Sequence, residues 1–348
     1  MPYHAIWIVL LVTAFARAAD PPLPAEITRI AFGSCLRQDK PAPVFDAILA
    51  ARPDVFIWLG DNIYGDSDDP AVITAKYKQL GEIEGFKKLR AAVPFRYAWD
   101  DHDYGKNDAG VEYPFKEQNK KLMLDFFGEP EGSDRRQREG NYDAKIIGPE
   151  GRRVQVILLD TRSFRSPMKS EMRGKAKHYV PSDDPSATVL GDAQWAWLDE
   201  QLKRPAEVRV ICTSIQLVND THRFEKWGNF PVERARLLRR LAEIDPGTQR
   251  WVVLSGDRHH GSMHTAAHGH AVEVTASALN QGGTPSPEDF AAPGLIGKPV
   301  GASNFGYVEI DWTKTPPALT VQLRDASNAV LVDAATAHVS DPSPSGGG

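Results

Sequence analysis

The sequence has 348 residues, of which 41% are hydrophobic and 25% are charged, with 28 glycines and 26 prolines. This composition is typical of a globular protein and excludes disordered, collagen-like and coiled-coil chains. The 41 basic and 46 acidic residues give a formal charge of −5, which offers no electrostatic reason to expect nucleic acid or an anionic membrane as a partner. Two cysteines are too few for a disulfide scaffold or a four-cysteine zinc module.

The N-terminus, residues 1–19, has the pattern of a signal peptide. The stretch 5–15 is almost continuously apolar, Ala16-Arg17-Ala18 supplies small residues for cleavage, and Asp20-Pro21-Pro22 ends any helix. We expect cleavage near Ala18 or Ala19, a Sec-type route, and a periplasmic or secreted mature protein without a transmembrane segment. The alternative is an N-terminal anchor helix.

Strand and helix patterns alternate from residue 27 onwards. The predicted strands are 27–32, 55–59, 95–99, 154–159, 208–213 and 251–254, and the predicted helices are 43–51, 115–127, 192–203 and 231–244. The last third is more purely β, with strands near 270–276, 307–310 and 319–323, and 282–300 is predicted to be a long loop. This order predicts one α/β layered domain over residues 20–335, followed by a disordered tail at 336–348.

Groups that can bind metal ions directly follow four of the predicted strands. They lie in the stretches Gly33-Ser34-Cys35, Gly60-Asp61-Asn62-Ile63-Tyr64, Asp100-Asp101-His102-Asp103 and Gly256-Asp257-Arg258-His259. Because ligands of α/β sheets bind beyond the carboxyl ends of strands, we expect these groups to form one shared site. Three carboxylates within four residues repel one another unless a cation offsets their charge. The sequence therefore predicts a metal site.

Each of these elements also has a purely structural interpretation. Cys35 alone is more often a small buried core residue, and Asp61 after a glycine can be a turn or N-cap residue. The acidic run can be a solvated turn, although such a turn would not need His102 or the preceding Trp99. Metal ligation explains all four stretches at once, and we prefer it for that reason.

Taken together, the four stretches resemble the successive motifs of the calcineurin-like metallophosphoesterases, and more narrowly those of the PhoD-like alkaline phosphatases. The resemblance is also carried by Leu159-Asp160-Thr161-Arg162-Ser163-Phe164-Arg165, Gln194-Trp195-Ala196-Trp197-Leu198 and Thr213-Ser214-Ile215-Gln216. It runs from about Ile30 to His259. It implies a four-layer α/β metallophosphoesterase fold, a two-sheet β-sandwich flanked by helices, with a two-metal centre at the strand ends.

The resemblance also implies a set of metal ligands, which are Cys35, Asp61, Tyr64, Asp101, Asp257 and His259. Asp61 would bridge the two ions, and Asp100 is an alternative to Asp101. The superfamily's separate histidine ligand has no clear match, but Gln216 lies near its place. The implied metals are Fe³⁺, which suits thiolate and phenolate, and Ca²⁺, which suits carboxylates; Zn²⁺ or Mn²⁺ is the fallback.

The same resemblance implies the catalytic groups. His102 would contact phosphate and protonate the leaving group, with Asp103 as its orienting partner. Arg162, and after it Arg165, is expected to bind phosphate oxygens through its planar guanidinium, with an ion pair to Asp160 as the alternative for Arg162. Asn107 is a candidate phosphate contact or ligand, or else a loop cap.

Two further groups of residues are expected to lie outside the site. His264, His268 and His270 are predicted to be surface histidines. Cys212 lies within a predicted core strand, so we expect no disulfide between it and Cys35.

The predicted activity is hydrolysis of phosphomonoesters, phosphodiesters or both by an exported enzyme of the alkaline phosphatase D type, through a hydroxide held by two metals. The predicted partner is a small phosphate ester, with no stable nucleic-acid partner; the sequence does not indicate the oligomeric state. The alternatives are a binuclear zinc or manganese hydrolase acting on another ester or phosphorus bond, and an inactive, metal-stabilised binding protein. The presence of His102 beside the whole ligand set disfavours the binding protein.

Overall fold

The computed structural model describes residues 21–245, 247–266 and 271–336. The predicted signal peptide and the predicted tail beyond residue 336 lie outside these residues, as do His268 and His270. None of the helices in the described ranges is both long and apolar enough to cross a bilayer.

Most of the described chain folds into strands and helices that alternate along the sequence. The strands are β1 (Arg29–Gly33), β2 (Val55–Leu59), β3 (Phe95–Ala98), β4 (Asp143–Ile147), β5 (Val154–Leu158), β6 (Ser170–Arg173), β7 (Ala176–Tyr179), β8 (Val208–Cys212), β9 (Arg250–Ser255), β10 (Gly261–Ala266), β11 (Ala271–Ala276), β12 (Leu295–Val300), β13 (Asn304–Asp311), β14 (Ala318–Asp325) and β15 (Val330–Thr336). The helices are α1 (Val44–Ala50), α2 (Pro70–Glu82), α3 (Glu84–Ala92), α4 (Asp101–Tyr104), α5 (Lys116–Phe127), α6 (Asp134–Gln137), α7 (Gly191–Lys203), α8 (Pro231–Ala242) and α9 (Pro287–Phe290).

The strands form two large sheets and one small hairpin. The first sheet has six strands in the order β15-β14-β13-β1-β2-β3, and its β1, β2 and β3 are parallel to one another. The second has seven strands in the order β12-β10-β11-β9-β8-β5-β4, with a parallel centre formed by β11, β9, β8 and β5. Strands β6 and β7 pair only with each other.

The two sheets pack face to face and carry helices on their outer faces. Apolar side chains from both sheets, such as Phe32, Ile57, Val156, Val210 and Val252, form one buried cluster between them. A second cluster lies between the first sheet and α1, α2, α3 and α5, and a third lies between the second sheet and α7 and α8. The four-layer arrangement implied by the sequence resemblance is therefore confirmed.

The predicted central strands and long helices match the structure closely. Strand β2 has the predicted bounds, because five consecutive buried residues are followed by Gly60, where φ is +102°. The predicted loop at 282–300 is wrong in part, since it contains α9 and β12. Strand β12 was missed because Gly297 and Pro299 interrupt its apolar pattern.

Candidate metal centre and its cavity

Four loops meet where the parallel strands of the two sheets end. Cys35 follows β1, Asp61 follows β2, Asp101 follows β3 and Asp257 follows β9. Backbone hydrogen bonds tie these loops together, including Leu36 N to Asp61 O at 3.0 Å. Since the strands are buried and rigid, their ends fix the starting point of each loop. The sequence expectation of a shared site at these strand ends agrees with this geometry.

Cys35, Asp61 and His259 form the first group of candidate ligands. One ligand atom from each of the three side chains lies within 4.8 Å of the others. The Cys35 Sγ is 3.3 Å from Asp61 Oδ2. The Tyr64 hydroxyl lies 2.9 Å from His259 Nε2 and 3.5 Å from Asp61 Oδ2. Thiol, phenol, imidazole and carboxylate thus converge on one point.

Two further groups continue from the first. Asp61, Asp101 and His102 form one, and Asp100, Asp101 and Asp257 form the other, with ligand atoms within 4.8 Å in each. Asp61 therefore belongs to two groups, and so does Asp101. This chain of shared carboxylates has the form expected of a site for two neighbouring cations, with Asp61 between them. Asp100 belongs to one group only, and its Oδ1 accepts a hydrogen bond from Arg162 Nε at 2.6 Å.

The backbone is strained where it presents these side chains. Cys35, Asp61, Asp257 and His259 all have positive φ, between 49° and 69°. Such residues cost free energy and persist where the surrounding structure imposes them, most often at functional sites. Gly60 allows the loop after β2 to approach the loop after β3 closely, because a Cβ there would lie 2.5 Å from the backbone nitrogen of Asp100.

The group of ligands carries more negative charge than the protein itself balances. Burial, followed by the charge of Cys35, raises the pKa of Asp61 well above its usual value. Burial and the neighbouring Asp100 likewise raise the pKa of Asp257, and burial raises that of the Cys35 thiol to about 11. Asp61 Oδ1 and Asp100 Oδ2 are buried without a hydrogen-bond partner. Bound cations would reverse this cost, so the residues fit a metal centre.

We expect the metal-free protein to lose stability between pH 6.5 and pH 8. Burial raises the pKa of Asp100 to about 7 and that of Asp103 to about 8, so the folded chain keeps protons that the unfolded chain has released. The free energy of unfolding therefore falls as the pH rises through this range. His102, whose pKa is raised from 6.5 to about 11, acts in the same direction.

Below pH 6.5 two buried histidines oppose this trend. Burial lowers the pKa of His260 and His264 from 6.5 to about 4, so acid protonates these histidines first in the unfolded chain and favours unfolding. Asp100 and Asp103 still hold protons there that the unfolded chain has released, so the two effects oppose each other below pH 6.5. Thermal unfolding of chelator-treated protein should therefore show a Tm that falls from pH 6.5 to pH 8, and added metal should raise Tm more at pH 8. A metal-free Tm that stays constant or rises from pH 6.5 to pH 8 would contradict this expectation.

His102 lies at the edge of the ligand groups with one ring nitrogen already engaged. Its Nδ1 is 2.7 Å from Asp66 Oδ1, and its ring packs against Tyr64 with 4.2 Å between centroids. Burial lowers the pKa of His102, but the charges of Asp101 and Asp61 and the hydrogen bond to Asp66 outweigh it and raise the pKa to about 11. In the metal-free chain the imidazole therefore holds a proton at neutral pH, as a general acid must.

Asp103 is not the partner of His102, so that prediction is wrong. Asp103 is buried, and its carboxylate accepts hydrogen bonds from the backbone nitrogens of Asp100 at 2.6 Å and Asn62 at 3.2 Å. It holds the loops after β2 and β3 together. Asp66, on the loop after Tyr64, occupies the orienting position instead.

The structure does not place Arg162 and Arg165 where they could bind phosphate, so these predictions are also corrected. Both side chains are fully buried. Arg162 donates from Nη1 to Glu225 Oε2 at 2.6 Å and from Nε to Asp100, and Arg165 Nε is 2.8 Å from Glu225 Oε1. The alternative ion pair with Asp160 is wrong as well, because the Arg162 guanidinium pairs with Asp100 and Glu225. Asp160 instead accepts a hydrogen bond from the backbone nitrogen of Arg162.

Glu225 is a residue that the sequence analysis missed, and its replacement should be strongly destabilising. Glu225→Gln would leave two buried guanidinium groups without their shared counter-charge, which costs about 3–5 kcal/mol for a broken buried ion pair. Denaturant unfolding of the purified variant measures this loss. The matched control is Glu82→Gln, whose partner Lys87 is exposed, and it should unfold like the wild type. Equal stability of the two variants would contradict the role of Glu225.

A cavity of about 540 Å³ opens beside the ligand groups. It is lined by His102, Asp257 and His259 on one side, and Asn107 also lies on its wall. The candidate contact between Asn107 and phosphate stays a prediction that this position permits. Three other cavities, of about 350, 540 and 520 Å³, are lined by residues outside the ligand groups.

The structure also locates the residues of three other expectations from the sequence. His264 is fully buried, so the prediction that it is a surface histidine is wrong. Gln216 is buried, and its Nε2 donates to Thr275 Oγ1 at 2.8 Å. Cys35 and Cys212 are both free and buried, as expected.

The comparison with protein families decides the family of the chain. The family model described as PhoD-like phosphatase matches residues 149–322, half of the sequence. The chain belongs to the PhoD-like phosphatase family. It is therefore a metal-dependent phosphatase, a hydrolase of phosphoric esters. No protein with a curated description has significant sequence similarity to it.

Solved structures share the fold of this PhoD-like phosphatase at low sequence identity. The structure of PhoD superposes with a TM-score of 0.69 at 17% identity, covering 89% of this chain and 69% of that chain. A dimetal phosphatase from Danio rerio gives 0.54 at 12% identity, covering 89% and 99%. GAP50, described as the anchor in the inner membrane complex of Plasmodium, gives 0.52 at 12% identity, covering 89% and 88%. These likenesses concern the fold alone.

Proposed function

We propose that this PhoD-like phosphatase is an exported enzyme that hydrolyses phosphomonoesters, phosphodiesters or both at a centre of two metal ions. The observation that carries the proposal is the sharing of Asp61 and Asp101 between neighbouring groups of ligand atoms, next to a protonated His102 and an accessible cavity. A single structural metal would need neither shared carboxylates nor a general acid.

The donor chemistry of the groups differs from one end of the chain of ligands to the other. Cys35, Tyr64 and His259 supply a thiolate, a phenolate and an imidazole, which suit Fe³⁺. Asp101 and Asp257 supply carboxylate oxygens, which suit Ca²⁺. Asp61 lies between the two sets. We therefore propose an Fe³⁺ and Ca²⁺ pair, with a Zn²⁺ or Mn²⁺ pair as the second choice.

The protein's own residues supply proton transfer and orientation. Two bound cations would provide the Lewis acidity that activates water and neutralises charge on the phosphoryl group. Asp66 holds His102 through Nδ1, so the proton on Nε2 is the one available to the departing alkoxide. Asp100 is fixed by Arg162, and the Arg162–Glu225 pair in turn connects it to the cavity wall at Phe224.

Two competing functions deserve a direct test. A zinc or manganese hydrolase of another ester or phosphorus bond would use the same ligands. The binding protein stays an alternative because GAP50, which shares the fold, is described as an anchor. His102 and its partner Asp66 favour an enzyme, because a binding protein has no need of a half-buried imidazole with a raised pKa beside its metals.

The deciding experiment is an assay of metal-replete protein with p-nitrophenyl phosphate and bis-p-nitrophenyl phosphate, each with and without calcium. Hydrolysis of either ester that depends on calcium supports the proposal. Hydrolysis of either ester that zinc or manganese supports without calcium replaces the Fe³⁺ and Ca²⁺ pair by the Zn²⁺ or Mn²⁺ pair. No hydrolysis of either ester by protein that holds its metals favours the binding protein.

Export is part of the same proposal. It rests on the apolar stretch 5–15 and the small residues that follow it. A calcium-rich environment outside the cytoplasm would fill a site made largely of carboxylates. N-terminal sequencing of the protein from the culture medium or periplasm should find a chain that begins just after Ala18 or Ala19; a chain that begins at Met1 would contradict export.

A further inference from the structure

The cavity beside the metal ligands extends well past the space that one phosphoryl group needs. Besides His102, Asp257 and His259, its lining includes Lys177 and Tyr179 of strand β7, together with Arg223 and Phe224. The hairpin β6–β7 that carries Lys177 belongs to neither large sheet. The volume of the cavity, about 540 Å³, is in the range of small-ligand pockets. The space next to these residues is therefore available to the leaving group of a substrate.

Two cations of the cavity lining, Lys177 and Arg223, have no acidic partner among the described residues. In the described part of the chain, neither Lys177 nor Arg223 has a carboxylate within ion-pairing distance. Lys177 Nζ lies 2.7 Å from the Tyr179 hydroxyl, and Arg223 Nη1 donates to Lys177 O at 3.2 Å. Both side chains are exposed to the cavity, in contrast to Arg258, which pairs with Asp289 at 3.2 Å.

Aromatic rings and backbone bonds hold the two cations in place. The Lys177 ammonium lies 4.2 Å from the centre of the Tyr179 ring, and the Arg223 guanidinium lies 4.5 Å from that of Phe224. The backbone nitrogen of Tyr179 donates to Arg223 O at 2.8 Å, which ties the hairpin to the segment of Arg223. These contacts orient two positive groups without neutralising them.

The acidic groups of the cavity are already engaged elsewhere. Asp108 Oδ2 accepts a hydrogen bond from the Tyr179 hydroxyl at 2.7 Å. Asp289 is paired with Arg258, and Asp257 belongs to the ligand groups. The cavity lining thus combines residues of the ligand groups with two cations, Lys177 and Arg223, that no carboxylate pairs.

We propose that Lys177 and Arg223 form a subsite for a leaving group that carries its own anionic group, a second phosphate. This inference rests on the proposed function, since it assigns the substrate class of the same site. One phosphate of such a substrate would be cleaved at the metal ligands, while the other would accept charge-assisted hydrogen bonds from the two cations. Substrates with neutral leaving groups would leave these cations solvated and unused.

A matched pair of substrates tests the subsite, namely 3-hydroxypropyl phosphate and propane-1,3-diyl bisphosphate, or their methyl diesters if only diesters are cleaved. The double variant Lys177→Gln, Arg223→Gln should lower kcat/KM for the bisphosphate about tenfold or more, mainly through KM, which is the worth of about one charge-assisted hydrogen bond. For the hydroxypropyl ester it should change kcat/KM less than about twofold.

Two further variants serve as controls. Lys175→Gln removes a charge from the turn of the same hairpin, at a residue that does not line the cavity, and should leave both substrates unaffected. Lys177→Arg, Arg223→Lys keeps the charges and should recover most of the preference for the bisphosphate. Wild-type hydrolysis of both substrates with the same ratio in the double Gln variant would overturn the subsite alone. Hydrolysis of neither substrate by the wild type would overturn the proposed function.

Discussion

Replacing Asp61 with asparagine is expected to lower the rate of phosphate-ester hydrolysis by about 10³-fold or more and to remove bound metal. Asp61 belongs to two neighbouring groups of ligand atoms, so its loss weakens both positions at once. The stabilisation of transition-state charge by bound cations amounts to several kcal/mol, and each 1.4 kcal/mol or so is a tenfold change in rate. Steady-state kinetics and elemental analysis of the same preparation measure the two effects together.

Asp46→Asn is the matched control for Asp61→Asn. Asp46 is an exposed carboxylate in the first turn of α1, on the surface of the domain. Its variant should keep the activity, metal content and Tm of the wild type. If Asp61→Asn keeps both metals and most of its activity, then Asp61 does not lie between two ions and the proposed centre is wrong.

Replacing His102 with alanine should lower kcat by about 10² to 10⁴-fold for esters with alkyl leaving groups, which is the usual contribution of a general acid. Metal content should stay close to that of the wild type, because Cys35, Asp61, Asp101 and Asp257 still provide ligand groups. Esters of p-nitrophenol should be affected much less, since that leaving group departs without protonation. An equal loss for both kinds of ester would contradict the role of His102 as the acid.

The pH profile of Asp66→Asn separates positioning from general damage. Asp66 holds Nδ1 of His102 and contributes to its raised pKa. Activity that requires protonated His102 falls as the pH rises through that pKa. Because Asp66→Asn lowers the pKa, the fall should move to lower pH while metal content stays unchanged. A profile with the wild-type position would show that Asp66 does not act through His102.

The parts of the fold that were predictable are those whose signals are local. Strand β2 was found with its bounds because an unbroken apolar run followed by Gly60 specifies a buried parallel strand without reference to the rest of the chain. The hairpin β6–β7 was missed because its residues are polar and mostly exposed, so no alternation marks it. Its position over the cavity depends on contacts with the segment around Arg223.

The candidate site, like the fold, was predictable only where its signals are local. The position of a cluster after a strand is a local feature, and parallel strands bring such clusters together. The partners of the charged residues are decided by distant segments. Arg162 pairs with Glu225, and His102 contacts Asp66 instead of its neighbour Asp103. No spacing in the sequence indicates those pairs, because loop conformations determine them.

Elemental analysis of the purified wild-type protein, combined with anomalous diffraction from its crystals, tests the central claim most directly. We expect two metal ions per chain, one held by Cys35, Tyr64 and His259 and the other by Asp101 and Asp257, with Asp61 as a ligand of both. A fully active enzyme with no metal, or with metal bound anywhere other than at these side chains, would contradict this claim.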